Sequence, residues 1–565
     1  MDAFRLDGVS FRYRGQERPA LAGVSLAAAP GERLGIIGLT GAGKSTLLRL
    51  LNRTVPVGYK GDFSGRVFLF DEDTAGRRPS ALAAIAGLVF QDFESQLFSS
   101  AAELDVAFGP ENLGLSSADI RARVTAALAA VGLAGFERRD PATLSGGQQQ
   151  RLAIATVLAL NPRLLCLDEP TTDLDPQGRA EVSSLLGRLA GGGMTVAIAE
   201  HEAELLVGLD RIVGLADGKV IIEADGARAL ADAGLLRSLG VRPPDAVALA
   251  ERLSLTGLPA DPVVAAAAVR AAGFSVRPGA GENFLRADQA AAAATGAAVI
   301  ETDGREHVYR SGQGLRGVSL SVQRGEFVAL LGRNGSGKTT MVKHFNGLLQ
   351  PTAGEVRIDG QPAARLKPGE LGRRIGFVFQ DPDHQIFAGR VADEVAFAPR
   401  NYGLSEAEVS ARVTRALALV DLAGAADADP FVLTKGERQR VALASVLAAE
   451  PEVLILDEPT TGLDYSAQLA VMELLADLNR QGRTIIVITH AIWVAAEFAR
   501  RVVVLDGGRI LADGPARAVL SDPTLMAAAG LATPGAAAIS AEMGGAALAL
   551  PALTVAELAS CLERR

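Results

Sequence analysis

Gly38-Leu39-Thr40-Gly41-Ala42-Gly43-Lys44-Ser45 follows the apolar run Leu34-Gly35-Ile36-Ile37. The same pattern returns as Gly332-Arg333-Asn334-Gly335-Ser336-Gly337-Lys338-Thr339 after Phe327-Val328-Ala329-Leu330-Leu331. A polyphosphate needs backbone N–H donors pointing inward, a positive charge, and a hydroxyl on Mg²⁺. The pattern G-x-x-x-x-G-K-[ST] between a strand and a helix supplies all three. Lys44 and Lys338 are therefore expected on the β- and γ-phosphates of ATP, Ser45 and Thr339 on Mg²⁺, and Thr46 and Thr340 in the same binding set. The chain has 62 glycines and seven lysines among 565 residues, so a chance match is expected about 0.01 times per chain. Two matches are not chance.

The repetition extends well beyond these loops. Lys44 and Lys338 are offset by 294, whereas Val89-Phe90-Gln91-Asp92 and Val378-Phe379-Gln380-Asp381 are offset by 289. Leu167-Asp168-Glu169-Pro170-Thr171-Thr172 recurs as Leu456-Asp457-Glu458-Pro459-Thr460-Thr461, again at 289. The difference of five places a small insertion near residues 55–63 of the first copy. In each copy, apolar runs bounded by turns alternate with helical stretches, which indicates a parallel α/β core. The chain is one catalytic-sized domain, twice.

Asp168-Glu169 and Asp457-Glu458 end apolar runs, where open α/β sheets bind ligands. The expected roles are Asp168 and Asp457 on Mg²⁺ and Glu169 and Glu458 on the attacking water. Two of the five histidines, His201 and His490, follow equivalent strands at the 289 offset. An imidazole there can bond the γ-phosphate and position water. Gln91 and Gln380 each offer a further Mg²⁺ or water ligand.

Composition closes off other classes. With 48% hydrophobic and 21% charged residues the chain can bury a large core. Its net charge of −9 and pI near 5.4 give no basic footprint for nucleic acid. Cys166 and Cys561, the two cysteines, are too few for a disulfide scaffold or a cysteine-ligated cluster. Mean hydropathy is +0.22, yet the richest apolar stretches, 262–273 and 543–556, fall short of the ~18–20 residues that a span requires. A membrane role would need a partner.

Leu144-Ser145-Gly146-Gly147-Gln148-Gln149-Gln150-Arg151 resembles the signature of ABC ATPases, which sits at a helix N-terminus. The resemblance covers nearly all of each copy. It implies an α/β fold of two P-loop nucleotide hydrolase domains in tandem, each with a helical subdomain and a small C-terminal extension. The boundaries expected are 1–240 for the first nucleotide-binding domain and 241–298 for its extension and an Ala-rich linker. The second domain is expected at 299–522 and its extension at 523–565. In that family two domains close head to tail, each ATP lying between the P-loop of one and the signature of the other. Ser145, Gly146, Gly147 and Gln148 would then contact nucleotide, as would Thr434 and Gly436 of the second copy. Tyr13 and Tyr309 match the position that stacks on adenine, and Leu174-Asp175 and Leu463-Asp464 the loop that crosses between domains.

Two segments look like ATPases of energy-coupling factor importers for cobalt or vitamins. They are Gln91-Asp92-Phe93-Glu94-Ser95-Gln96-Leu97-Phe98 with Asp105-Val106-Ala107-Phe108, and Gln380-Asp381-Pro382-Asp383-His384-Gln385-Ile386-Phe387 with Glu394-Val395-Ala396-Phe397. There the segment helps to dock a transmembrane coupling subunit, a separate membrane component selects the substrate, and the ATPase is peripheral on the cytoplasmic side. The alternatives are a soluble tandem protein acting on ribosomes or nucleic acid, and a sugar-importer ATPase. The weakly charged stretch 245–300 disfavours the first, and the repeated Phe-bearing segments the second. One departure stands out. The second signature reads Leu433-Thr434-Lys435-Gly436-Glu437-Arg438-Gln439-Arg440, and Lys435 and Glu437 break the pattern, so its half-site is expected to be weakened or retuned.

Overall fold

The computed structural model describes residues 1–565 apart from 173, 294, 310, 311, 313, 545–550 and 565, and apart from the side chains of 291 and 292. It divides into two units, Met1–Pro244 and Asp245–Arg565. Part of the apolar stretch 543–556 thus lies outside the described residues. Among the described residues no helix is long and apolar enough to cross a membrane.

In the first unit the strands are β1 (Phe4–Tyr13), β2 (Leu21–Ala28), β3 (Arg33–Gly38), β4 (Gly61–Leu69), β5 (Glu72–Asp73), β6 (Ala86–Val89), β7 (Leu164–Asp168), β8 (Thr195–Ala199), β9 (Arg211–Ala216) and β10 (Lys219–Asp225). They form a small sheet, β2-β1-β4-β5, and a six-stranded sheet, β10-β9-β3-β8-β7-β6. In the larger sheet β9, β3, β8, β7 and β6 run parallel, and β10 is an antiparallel edge. β7 and β8 are buried at every residue. That is why they read as unbroken apolar runs: helices cover both faces of a parallel sheet. Each such Leu, Ile or Val contributes about 1.5–3 kcal/mol on burial. Helices Ala102–Asn112, Ser117–Ala130 and Gly146–Leu158 make the helical subdomain, sharing a core with β7 and β8 through Leu152, Ile154, Leu165 and Ile198.

The second unit repeats this plan. Its strands are β11 (Phe274–Val276), β12 (Ala298–Val308), β13 (Gly314–Gln323), β14 (Phe327–Leu331), β15 (Ala353–Ile358), β16 (Gln361–Pro362), β17 (Ile375–Val378), β18 (Val453–Asp457), β19 (Thr484–Ile488), β20 (Arg501–Asp506), β21 (Arg509–Pro515) and β22 (Leu562–Arg564). The sheets are β13-β12-β15-β16 and β17-β18-β19-β14-β20-β21. The extra residues of the first copy lie at its small sheet. There a turn, Thr54–Val57, precedes a nine-residue β4, and the counterpart β15 has six residues.

The Ala-rich joint is folded. Helices Asp245–Arg252 and Pro262–Ala271 pack with Gly535–Gly544 and Val555–Cys561 from the other end of the chain. Leu249, Ala265, Val269, Ile539 and Leu558 form the shared core. β11 pairs antiparallel with β22, Phe274 opposite Arg564. The helices Asp245–Arg252 and Gly535–Gly544 start 290 residues apart, as do β9 and β20. The repeat therefore includes the extensions, and the two extensions pair with each other.

Candidate active site

Each phosphate loop leaves the C-terminal end of a central strand, β3 or β14, and enters a helix, Lys44–Leu51 or Lys338–Phe345. Backbone crowding dictates glycine at the start of each loop. A Cβ on Gly38 would stand 2.3 Å from the Leu215 carbonyl oxygen, and one on Gly332 would stand 2.2 Å from that of Leu505. Gly43 and Gly337 hold left-handed φ of 103° and 104° at the helix N-caps, a conformation that costs a side-chain-bearing residue about 1–2 kcal/mol. Lys44 is buried, and its Nζ donates to the Gly38 carbonyl at 2.7 Å and to Leu39 at 3.3 Å. Lys338 Nζ does the same to Gly332 (2.7 Å) and Arg333 (2.9 Å). The loop's own carbonyls thus hold each ammonium across the cradle that Gly41, Ala42, Gly335 and Ser336 complete. Thr40 and Asn334 sit at the tips, with Leu39 exposed.

The next hydroxyl meets the strand-end aspartate. Ser45 Oγ donates to Asp168 Oδ1 at 2.9 Å, and Thr339 Oγ1 to Asp457 Oδ2 at 2.8 Å. Burial first, and then the adjacent Glu169 charge, pushes Asp168 up to about 6; burial and Glu458 do the same to Asp457. Asp168 Oδ2 is buried with no hydrogen-bond partner among the described residues. The Arg49 guanidinium stands 3.9 Å from that oxygen, beyond hydrogen-bond range, so a divalent cation would satisfy it. The hydroxyl–carboxylate pair therefore fits Mg²⁺, with oxygen donors of the kind that ion takes. Among the described residues no group of three or more His, Cys, Asp or Glu forms a cage, and phosphate oxygens and water would complete the shell.

Glu169 and Glu458 carry φ of 48° and 50°, a strained backbone for a non-glycine residue and the same in both copies. The turn swings each carboxylate off the strand end. Gln91 Nε2 donates to Glu169 Oε2 at 2.7 Å; Gln380 occupies the matching place after β17. His201 Nδ1 lies 3.6 Å from Glu169 Oε1, and His490 Nδ1 lies 3.1 Å from Glu458 Oε2. Burial alone would depress the His201 imidazole, but the charge and hydrogen bond of Glu169, with Glu200 and Glu202, push it up to about 9. Burial would raise Glu458; the His490 charge and hydrogen bond, with Lys338, outweigh it and hold that carboxyl below its ordinary range.

The two sites differ beside the histidine. Glu200, fully buried and raised by that burial, accepts from Thr171 Oγ1 (2.7 Å) and from the His201 N–H (2.9 Å). Thr489 takes its place in the second copy. Sequence reasoning missed Glu200, although the residue before each histidine differs visibly.

Both signatures begin helices with a capping box, but the caps are wired differently. Gln148 Oε1 accepts from Ser145 N (3.0 Å) and Gln148 N donates to Ser145 Oγ (3.4 Å). Glu437 Oε2 accepts from Thr434 N (2.9 Å) and also from the Thr434 hydroxyl (2.8 Å). The carboxylate thus captures the hydroxyl proton. Gly147 and Gly436 follow on these helices, with Gly146 and Lys435 before them; the Lys435 chain lies along Gly462. Asp175 and Asp464 cap the helices Pro176–Gly191 and Tyr465–Arg480.

Tyr13 and Tyr309 end β1 and follow β12. Tyr13 OH is 3.0 Å from Thr46 Oγ1, which ties the aromatic to the phosphate loop, and Tyr309 is 41% exposed beside His307. Two further places pair aromatics at the surface: Phe98 with Phe108, centroids 4.9 Å apart, and Phe387 with Phe397, 4.7 Å. A buried acid pins each loop. Asp105 accepts from Phe98 N (3.1 Å) and Ser99 N (3.0 Å), and Glu394 from Phe387 N (3.0 Å) and Ala388 N (2.8 Å). Both acids fall within the sequence motifs, where nothing signals this role.

A glycine loop between parallel strand and helix, with a hydroxyl–aspartate pair and a glutamate at the next strand end, defines a P-loop nucleotide hydrolase, present here twice. A family model described as ABC transporter matches residues 21–172 and 315–461. The chain belongs to that family, and it is an ATP-binding, ATP-hydrolysing subunit with two ABC ATPase domains in tandem. A protein of Caldanaerobacter subterraneus subsp. tengcongensis, provisionally named an ABC transporter ATP-binding protein, is 42% identical over 98% of both chains. A likewise provisionally named protein of Methanosarcina acetivorans is 38% identical over 99% of this chain and 94% of its own length. The solved structure of cbiO1 from Clostridium perfringens, described as part of the ABC transporter complex cbiONQ, aligns with TM-score 0.38 and 35% identity over 41% of this chain and 94% of that one.

Proposed function

We propose that this chain energises uptake of a micronutrient, a vitamin such as thiamine or its precursor, or cobalt or nickel, through an importer of the energy-coupling factor type. The observation that carries the reading is the pair of exposed aromatic faces. Phe98 and Phe387 are 63% and 59% exposed, Phe108 and Phe397 50% each. Each pair is T-shaped, a buried acid holds the backbone of the loop that carries its first ring, and the pairs follow Gln91 and Gln380 in the chain. Solvent-exposed aromatics fixed in place are characteristic of a protein interface. The occupant is a transmembrane coupling subunit, whose partner component selects the substrate, so the chain works at the cytoplasmic membrane surface.

In this reading ATP and Mg²⁺ bind at both loops. The roles are Lys44 and Lys338 on phosphate, Ser45, Asp168, Thr339 and Asp457 on the cation with Gln91 and Gln380, Glu169 and Glu458 on the water, and His201 and His490 on the γ-phosphate. The two ATPase domains pair head to tail, each signature serving the other domain's loop. Changing Phe98 and Phe387 both to Asp would bury charge at an apolar contact. The expected result is loss of co-purification with the membrane subunit and intact ATP binding. Undiminished co-purification would overturn the docking assignment. Separately, Lys44→Ala with Lys338→Ala should abolish phosphate release; turnover at the parental rate would overturn the loop assignment.

A further inference from the structure

A cavity of about 620 Å³ opens in the second unit between its ATPase core and the paired extensions, within the size range that holds a metabolite. The two other cavities described measure about 70 and 60 Å³. It is separate from the nucleotide loop. Arg501, on its wall, opens β20 beside Val328 near the start of β14, whereas the phosphate loop leaves the opposite end of that strand.

The charges that line it decide what it can hold. Arg517, 5% exposed, donates to Asp288 (2.8 Å) from the helix Ala280–Ala293 and to both Glu557 oxygens (2.9 and 2.8 Å) from the helix Val555–Cys561. That guanidinium is saturated and latches the extensions to the ATPase domain. Arg501 is taken by Asp513 (2.6 and 2.8 Å) and Glu326 (3.2 Å). The same cluster recurs in the first unit as Arg211 with Glu32 and Glu223, so it is architectural. Arg500 is left. It is exposed, it lines the cavity, and among the described residues no carboxylate pairs with it. In the first unit its place is held by Asp210, bonded to Arg33 at 2.6 Å, and that of Arg517 by Ala227. Both cations therefore belong to the second copy alone. Phe498, Ala499 and Leu553 supply an apolar wall beside Arg500.

We propose that this cleft binds a small amphipathic organic anion, its acid group on Arg500 and its apolar body against Phe498 and Leu553. Because Phe498 and Arg500 belong to the ATPase domain and Leu553 to the extension, the ligand bridges the two alongside the Arg517 latch. The proposal is independent of which cargo the transporter carries.

The test uses two fluorescent probes that differ in one charge, 8-anilinonaphthalene-1-sulfonate and the neutral N-phenyl-1-naphthylamine, titrated onto the full chain. A charge-assisted contact gives the wild type a preference for the sulfonate of about tenfold. In Arg500→Gln and in Arg500→Asp, the residue type of the first copy, that preference should fall below about twofold, with thermal midpoint and ATP turnover unchanged. Dye bound on the exposed phenylalanine faces is common to all three proteins and cancels. Equal affinities for the two dyes in the wild type, or a preference that survives in both variants, overturns the proposal.

Discussion

Glu437→Gln is expected to speed ATP hydrolysis. In the second signature the Thr434 hydroxyl donates to Glu437 at 2.8 Å, whereas the Ser145 hydroxyl donates to no described residue and only accepts from Gln148 N. A hydroxyl spent on a carboxylate cannot donate to a phosphate. Charge-assisted hydrogen bonds of this kind contribute about 1.5–3 kcal/mol, and that energy must be returned before Thr434 can turn to a γ-phosphate. At 1.36 kcal/mol per decade, the deficit is roughly ten- to hundredfold in rate. The Glu437→Gln substitution would restore the carboxamide that Gln148 supplies in the first copy, keeping the cap and removing the charge. In the proposed head-to-tail pairing this signature serves Lys44, Glu169 and His201. The assay is therefore steady-state phosphate release in a Glu458→Gln background, where the first site alone turns over. Glu458→Gln by itself should remove most turnover, and Glu169→Gln should leave a substantial fraction. Adding Glu437→Gln to Glu458→Gln should raise the residual rate about tenfold or more. An unchanged or lower rate refutes the hydroxyl-capture argument, and equal losses from Glu169→Gln and Glu458→Gln refute the asymmetry.

Two further expectations concern stability. Against the opposing effect of burial, Glu169 and its acidic neighbours push the His201 imidazole up to about 9 from its ordinary 6.5, so its contribution should be complete below about pH 6.5 and be lost as pH rises through 9. Between those values the wild type should lose on the order of 1–3 kcal/mol more than His201→Gln in denaturant titrations; parallel pH profiles would refute the ion-pair reading. Arg305 is fully buried, its three guanidinium nitrogens lack hydrogen-bond partners among the described residues, and burial lowers it to about 9. The corresponding β1 residue is Val9, and Arg305→Val should raise the thermal midpoint, by roughly 1–3 kcal/mol of stability; a lower midpoint would show that the guanidinium stabilises the core.

The nucleotide loops were legible because phosphate chemistry demands donors at fixed spacing along one short segment. Gly38, Gly43, Lys44 and Ser45 could be read without knowing what surrounds them, and so could Asp168 and Glu169 at the end of an apolar run. The Ala-rich stretch was harder. Its helices carry little charge and no motif, and their partners, Gly535–Gly544 and Val555–Cys561, lie at the far end of the chain. The acids Asp105 and Glu394 were equally opaque. Their role depends on which backbone N–H groups a folded loop turns toward them.

What the sequence by itself determined is the repeat, the parallel α/β core, and two loops built for a polyphosphate with a cation. These follow from residue spacing within a few positions and from apolar runs long enough to be buried strands. The tertiary structure alone decided the rest: that Glu200 is buried and bonded to Thr171, that Glu437 accepts from the Thr434 hydroxyl, that Arg517 draws Asp288 and Glu557 together, and that Arg500 meets no carboxylate among the described residues of its cavity wall. Each of these is a matter of a few tenths of an ångström between groups brought together by packing. Hydrogen bonds and ion pairs are decided at that range, and a one-dimensional pattern carries no information about it.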